Sequence, residues 1–204
     1  MVLAGSEPAA LPQYTPTTPA GRRVLDAASR LFYDRGINSV GMDLLAEEAG
    51  VTKKTIYDRF GSKQQLVVAY LRARDTRWRD FLDARLDPNS TARARIGATF
   101  EALDAWMGEE NPRGCAMVNA YAELSDPGHP GRAVAEEQKR WLRSLYGALA
   151  RESGATAPEQ LADALFMLHE GAVVARNVSG TADAALTARA AADTLLIAHG
   201  VPAE

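Results

Sequence analysis

Two short apolar-periodic pieces, Met42 to Ala49 and Lys53 to Phe60, separated by Ala49-Gly50-Val51 and a capping Thr52, constrain this chain more than anything else in it. Leu44, Leu45 and Ala49 give one buried stripe, and Ile56 and Phe60 give the other. Two short helices joined by a tight glycine-containing turn make a helix-turn-helix. The flanks agree with that reading. Thr18 and Pro19 supply a cap and a first-turn proline, after which Val24, Ala28, Leu31 and Phe32 recur at helical spacing until Gly36. Downstream, Ser62 and Gln65 form a capping box that opens a long helix carrying Leu66, Tyr70, Trp78, Phe81 and Leu86. At about 1.5 Å per residue, its roughly 25 residues span about 37 Å, enough to join two domains.

Beyond Asp87-Pro88 the spacing predicts helices over about 90–109, 113–125, 130–153, 157–179 and 181–199, with no strand-like alternation, so the fold class is all-α. Four of the ten prolines fall within the first nineteen residues, where charge and periodicity are nearly absent, so residues 1–17 are expected to be a disordered tail. The remaining division is a helix-turn-helix domain over 18–61 and a second domain over 62–204 that includes the connecting helix.

Charge is segregated along the chain. The net charge is −3, but Thr18 to Arg74 holds ten Lys/Arg against six acids, a balance of +4 that leaves −7 for the rest. That distribution suits an anion-binding front end on an acidic body. The second helix of such a motif normally enters a DNA major groove, and its first turn here holds Lys53, Lys54 and Thr55. Lysine suits guanine acceptors or phosphate, and threonine suits a base edge or a thymine methyl. Tyr57 can give a phenolic bond to phosphate, and Lys63 stands at the start of the next helix, where backbone N–H groups favour anions.

Other classes find less support. A single cysteine, Cys115, excludes an internal disulfide and paired-cysteine zinc sites, and reads as a small core residue. The three histidines are scattered, and neither a phosphate loop nor a nucleophile elbow occurs, so no enzymatic activity, cofactor or metal is expected. No apolar run of about 18 residues occurs, so no membrane partner is expected, and a cytoplasmic location follows.

The stretch from Thr18 to Leu71 resembles the TetR family of bacterial transcriptional regulators. The likeness rests on Ala27, Leu31, Phe32 and Gly36; on Leu45, Ala46, Ala49, Gly50 and Val51; and on residues 52–60, TKKTIYDRF, followed by SKQQL. The segment RGCAMVNAYAELSDPGHP also looks like a pattern from such regulators. The resemblance implies that Thr52, Thr55, Tyr57 and Lys63 lie at or near the double-stranded DNA operator. It implies homodimerisation through the last two helices and a small-molecule effector pocket between the C-terminal helices. Candidate pocket residues are Trp78, Trp106, Met117, Tyr121, Trp141, Phe166 and His169, with Asn119, Glu123 and Arg176 as further polar groups. The implied function is a repressor released from a palindromic operator by its effector. Three departures stand out: Val40 and Gly41 where Ser or Thr usually opens the second helix, Lys54 in place of a small residue, and Asp58 in place of His or Arg. The Gly41 and Asp58 departures support the alternative, an effector-binding or scaffold protein that has lost DNA recognition.

Overall fold

A computed structural model describes residues 18–203, and the expected tail lies outside the described residues. Those residues form nine helices and no strand: α1 Pro19–Arg35, α2 Met42–Ala49, α3 Lys53–Phe60, α4 Lys63–Asp83, α5 Ala92–Glu109, α6 Ala116–Glu123, α7 Pro130–Glu152, α8 Pro158–Val178 and α9 Ala184–Ala198. Hydroxyl caps begin several of them as the sequence predicts. Thr18, Thr52 and Ser62 accept from the backbone N–H groups of Gly21, Thr55 and Gln65, each at 3.1 Å. Gly41 opens α2 without a side-chain cap. Gly50 ends it at φ 60°, a left-handed turn that glycine makes without a Cβ penalty and that sets α3 across α2.

The connecting helix is shorter than its pattern suggests. It has 21 residues, about 31 Å, and stops at Asp83 instead of running to Leu86. Pro88 disfavours helical backbone at Asp87, and the chain tightens before it through an Arg85 N–H to Leu82 carbonyl bond of 2.9 Å.

Two cores flank this helix. The first gathers Val24, Leu31 and Phe32 of α1, Leu45 of α2, Ile56 of α3 and Leu66 to Leu71 of α4. It also takes in Met117 and Ala120 of α6 and Val134 of α7, so it extends well past residue 61. The second is built on Trp78 and Leu82 of α4, Phe100 and Leu103 of α5, Leu142 and Tyr146 of α7, Leu165 of α8 and Leu196 of α9. Cys115 is half-buried and packs against both. Among the described residues, no helix is long and apolar enough to cross a membrane.

Candidate nucleic-acid interface and buried cavity

Ile56 and Phe60 are buried and pin one face of α3 to the first core, which turns Thr52, Lys53, Lys54 and Tyr57 outward. Tyr57 is 47% exposed, a large aromatic left in solvent beside the helix start. Thr52 Oγ1 lies 3.0 Å from the Thr55 hydroxyl as well as capping the helix. Both lysines have acidic neighbours: Lys53 Nζ is 2.9 Å from Asp43 of α2, and Lys54 Nζ is 2.8 Å from Asp58 one turn on. The hydrogen bond to Asp43 raises the Lys53 pKa. Solvent screens pairs this exposed, so a phosphate can displace the carboxylate at small cost.

Lys63 is placed differently from the other candidates. Its ammonium turns toward the protein, donates to the Ile37 carbonyl at 2.7 Å and sits 5.9 Å from the centre of the Phe32 ring. Burial lowers its pKa. The side chain clamps the end of α1 to the start of α4 and does not reach outward beside Tyr57.

The helix-turn-helix unit is latched to the rest of the chain at the same C-terminal end of α1. Tyr33 is buried, and its hydroxyl accepts from Arg113 N–H at 2.9 Å, with the Gly114 carbonyl at 2.9 Å and Asn111 Oδ1 at 3.2 Å as acceptors for its proton. The Arg113 guanidinium donates to the Tyr33 carbonyl at 2.9 Å and to the Asp34 carbonyl, close to the negative end of the α1 dipole. Glu123 of α6 accepts from Asn38 N–H at 3.1 Å. Its carboxylate comes so near Gly36, whose φ is 87°, that an added Cβ would stand 3.0 Å from Oε2. A cavity of about 310 Å³ between α1, α4 and α6 lies under this latch, lined by Tyr33, Tyr70, Asn119 and Glu123 among others.

A smaller cavity, about 50 Å³, lies deeper in the helical body, between α4, α5, α6, α7 and α8. Four expected pocket residues line it: Trp78, Trp106, Met117 and His169. Three do not. Tyr121 is 39% exposed on α6 with the Arg132 guanidinium 3.7 Å above its ring, and Trp141 is half-buried at the edge of the second core, beneath Arg79 at 4.2 Å. Helical phase explains Trp141, because Gln138 and Leu142, one turn apart, take the inward face of α7. Phe166 packs into the second core without lining the cavity. Of the further polar candidates, Asn119 and Glu123 serve the latch, and Arg176 bonds the Ala182 carbonyl.

The cavity's charged lining was not foreseen. Arg74 stacks on Tyr33 at 4.6 Å and on Trp106 at 5.0 Å, and contacts Asn111 Oδ1 at 3.3 Å and Glu110 Oε2 at 3.4 Å. Asp75 pairs with Arg79 through one oxygen, at 2.8 Å. Lys139 pairs with Glu170 at 2.7 Å and donates to Cys115 Sγ at 3.3 Å. His169 is neutral: burial, then the nearby Lys139, pushes its pKa down to about 3, and its Nδ1 lies 3.0 Å from the Tyr146 hydroxyl. One signal for Asp75 was available, since it occupies the apolar stripe Leu71-Asp75-Trp78-Leu82 of α4. Arg74 thus touches both the cavity and Tyr33 of α1, linking the cavity wall to the outward-facing helix pair.

Residues 24–70 match the family described as bacterial regulatory proteins, tetR family, and residues 92–192 match a tetracyclin repressor-like C-terminal domain. The chain is 27% identical to the transcriptional activator FasR of Mycolicibacterium smegmatis, over 66% of this chain and 61% of that protein. It is 32% identical to the transcriptional repressor KstR2 of Rhodococcus jostii, over 42% and 45%. These alignments span less than two thirds of either regulator. A crystal structure of a TetR-family transcriptional regulator from Streptomyces coelicolor superposes with TM-score 0.82 and 29% identity, covering 89% of this chain and 96% of that one. The two-part match, the helix-turn-helix with its outward first turn and the helical body behind it lead to one conclusion: the chain belongs to the TetR family of bacterial DNA-binding transcriptional regulators.

Proposed function

We propose that this regulator is a homodimeric repressor that holds a palindromic operator through α3 of each subunit and releases it when a small molecule occupies the cavity behind α4. The observation that carries the reading is the continuous path from that cavity through Arg74 to Tyr33 and α1, on which α2 and α3 are packed. Two recognition helices read half-sites about 34–36 Å apart, so a ligand that moves α1 changes their spacing. Shifting occupancy from about 99:1 to 1:99 requires roughly 5.5 kcal/mol of differential affinity between the two arrangements. The repressor KstR2 among the relatives supports repression, and the activator FasR makes the sign of regulation part of the test.

The outer face of α8 and α9 supports the dimer. Met167, Val174 and Val178 of α8 are 64%, 56% and 81% exposed, and Ile197 of α9 is 56% exposed. Met167, Gly171, Val174 and Val178 follow one helical stripe, beside an apolar groove of small residues that includes Ala164, Ala175, Ala188 and Ala191. A second subunit covering this face needs to bury at least roughly 1,200 Å².

The test is selection from random duplex DNA, followed by a salt titration and a reporter under the selected site. An enriched palindrome, with a log–log salt slope of about −0.9 for each phosphate neutralised, is expected. Acidic neighbours on both first-turn lysines favour a second reading, an effector-binding protein without DNA recognition. Failure to enrich any palindrome would rule against the repressor reading.

A further inference from the structure

Two of the side chains lining the deeper cavity hold polar atoms without a partner. Asp75 is 5% exposed and bonds Arg79 through Oδ2, while Oδ1 is cut off from solvent and accepts no hydrogen bond. Gln138 is also 5% exposed, and its Oε1 is equally buried and unpaired. One comes from α4 and the other from α7, across a space of only about 50 Å³. Leaving such acceptors empty costs free energy that a bound donor would recover, the more so at a carboxylate. The surrounding charges are already matched inside the protein: Asp75 by Arg79, Arg74 by Glu110, and Lys139 by Glu170. A ligand carrying net charge would find no counter-ion there. Trp78, Trp106, Leu103, Leu142 and Val173 supply apolar walls.

We propose that the cavity binds a neutral, largely apolar molecule through a hydroxyl or N–H group that donates to Asp75, with the Gln138 amide as its second polar contact. The inference rests on reading this cavity as the effector's. Its size limits what enters unaided, since a water's share of liquid volume is about 30 Å³ and a benzene-binding cavity is about 150 Å³. The cavity therefore seats the donor-bearing end of the ligand, and a ring follows only when a wall gives way. Leu142, fully buried on α7, is one of these apolar walls, and Leu142→Ala makes space without removing a polar group.

The experiment uses 4-fluorophenol and 4-fluorotoluene, matched in shape and differing in the donor, titrated by fluorine NMR into the full chain and its Leu142→Ala variant. A cavity with no use for a donor prefers the toluene, because burying an unpartnered hydroxyl is unfavourable. The expected result is the reverse order, with the phenol bound about tenfold tighter in Leu142→Ala, and a ratio that falls to one or below when Asp75→Leu is added. Equal or tighter binding of the toluene, no binding of either probe to Leu142→Ala, or an unchanged ratio without Asp75 would each overturn the proposal. Should the doubly substituted chain not fold, the order of the two probes in Leu142→Ala still decides. Operator binding does not enter this readout, so losing the repressor reading leaves the ratio standing, and an inverted ratio leaves the repressor reading untouched.

Discussion

Replacing Tyr33 by Phe removes one oxygen from the latch and leaves every ring contact in place. The Arg113 N–H at 2.9 Å then has no acceptor, and the Gly114 carbonyl, also at 2.9 Å, loses its donor. Stranding a buried polar group costs about 1–3 kcal/mol, so two of them give roughly 2–4 kcal/mol even after partial relaxation. The ring still supports the Arg74 guanidinium, which keeps the loss assignable to hydrogen bonding. For a chain of this length each kcal/mol corresponds to about 2–4 °C, and a fall in Tm of roughly 4–16 °C is expected by differential scanning fluorimetry at fixed protein concentration. Tyr33→Phe in an Asn111→Ala background should cost less than in the wild type, because the Tyr33 hydroxyl has already lost one of its acceptors there. A Tm within 1 °C of wild type would show that the hydroxyl bonds are replaced by water and that α1 is not held by this latch.

Lys63→Ala should lower stability by about 1 kcal/mol through the lost Ile37 bond while changing the salt slope of DNA binding less than Lys53→Ala does, as fluorescence anisotropy across salt concentrations would show. Lys54→Ala should change which bases are preferred in a selection. Met167→Asp or Ile197→Asp should yield a folded monomer by analytical ultracentrifugation; Leu196→Asp should unfold the subunit instead, since Leu196 is fully buried within it. His169 has a folded pKa of about 3 against 6.5, so its contribution is complete above pH 6.5 and is lost as the unfolded chain takes up a proton that the fold refuses. Stability should fall by about 1.4 kcal/mol per pH unit between pH 6 and 4 on its account, with His129 acting in the same direction, and His169→Gln should flatten that slope in urea titrations.

The helices and their caps were legible because Thr18, Thr52, Ser62, Gly36 and Gly50 act within a few residues of themselves, and the outward side of α3 followed from Ile56 and Phe60 alone. What lies between elements was less visible. Tyr121 and Trp141 read as pocket residues because they are large, whereas the inward face of α7 is set by its packing against α4 and α8. Lys63 looked like a phosphate contact by position, and only the end of α1 folded back beneath it shows where its proton goes. Arg74, Lys139 and Glu170 carry no local signal of their pairing, since their partners lie 31 or more residues away, whereas Asp75 is marked only by its place in the apolar stripe of α4.

The first core is not closed by the segment that reads DNA. Met117, Ala120 and Leu124, which arrive more than fifty residues after Phe60, complete it together with Val134. A fragment ending at Gly61 would expose Leu31, Phe32 and Ile56 to water on the side that α4 and α6 cover, and so would not persist as a folded module. The portable unit of this regulator is discontinuous, and grafting its DNA specificity onto another body requires carrying α6 and the first half of α4 along. Changes on the body side of α6 are therefore felt by the operator-binding helices as changes in their own interior.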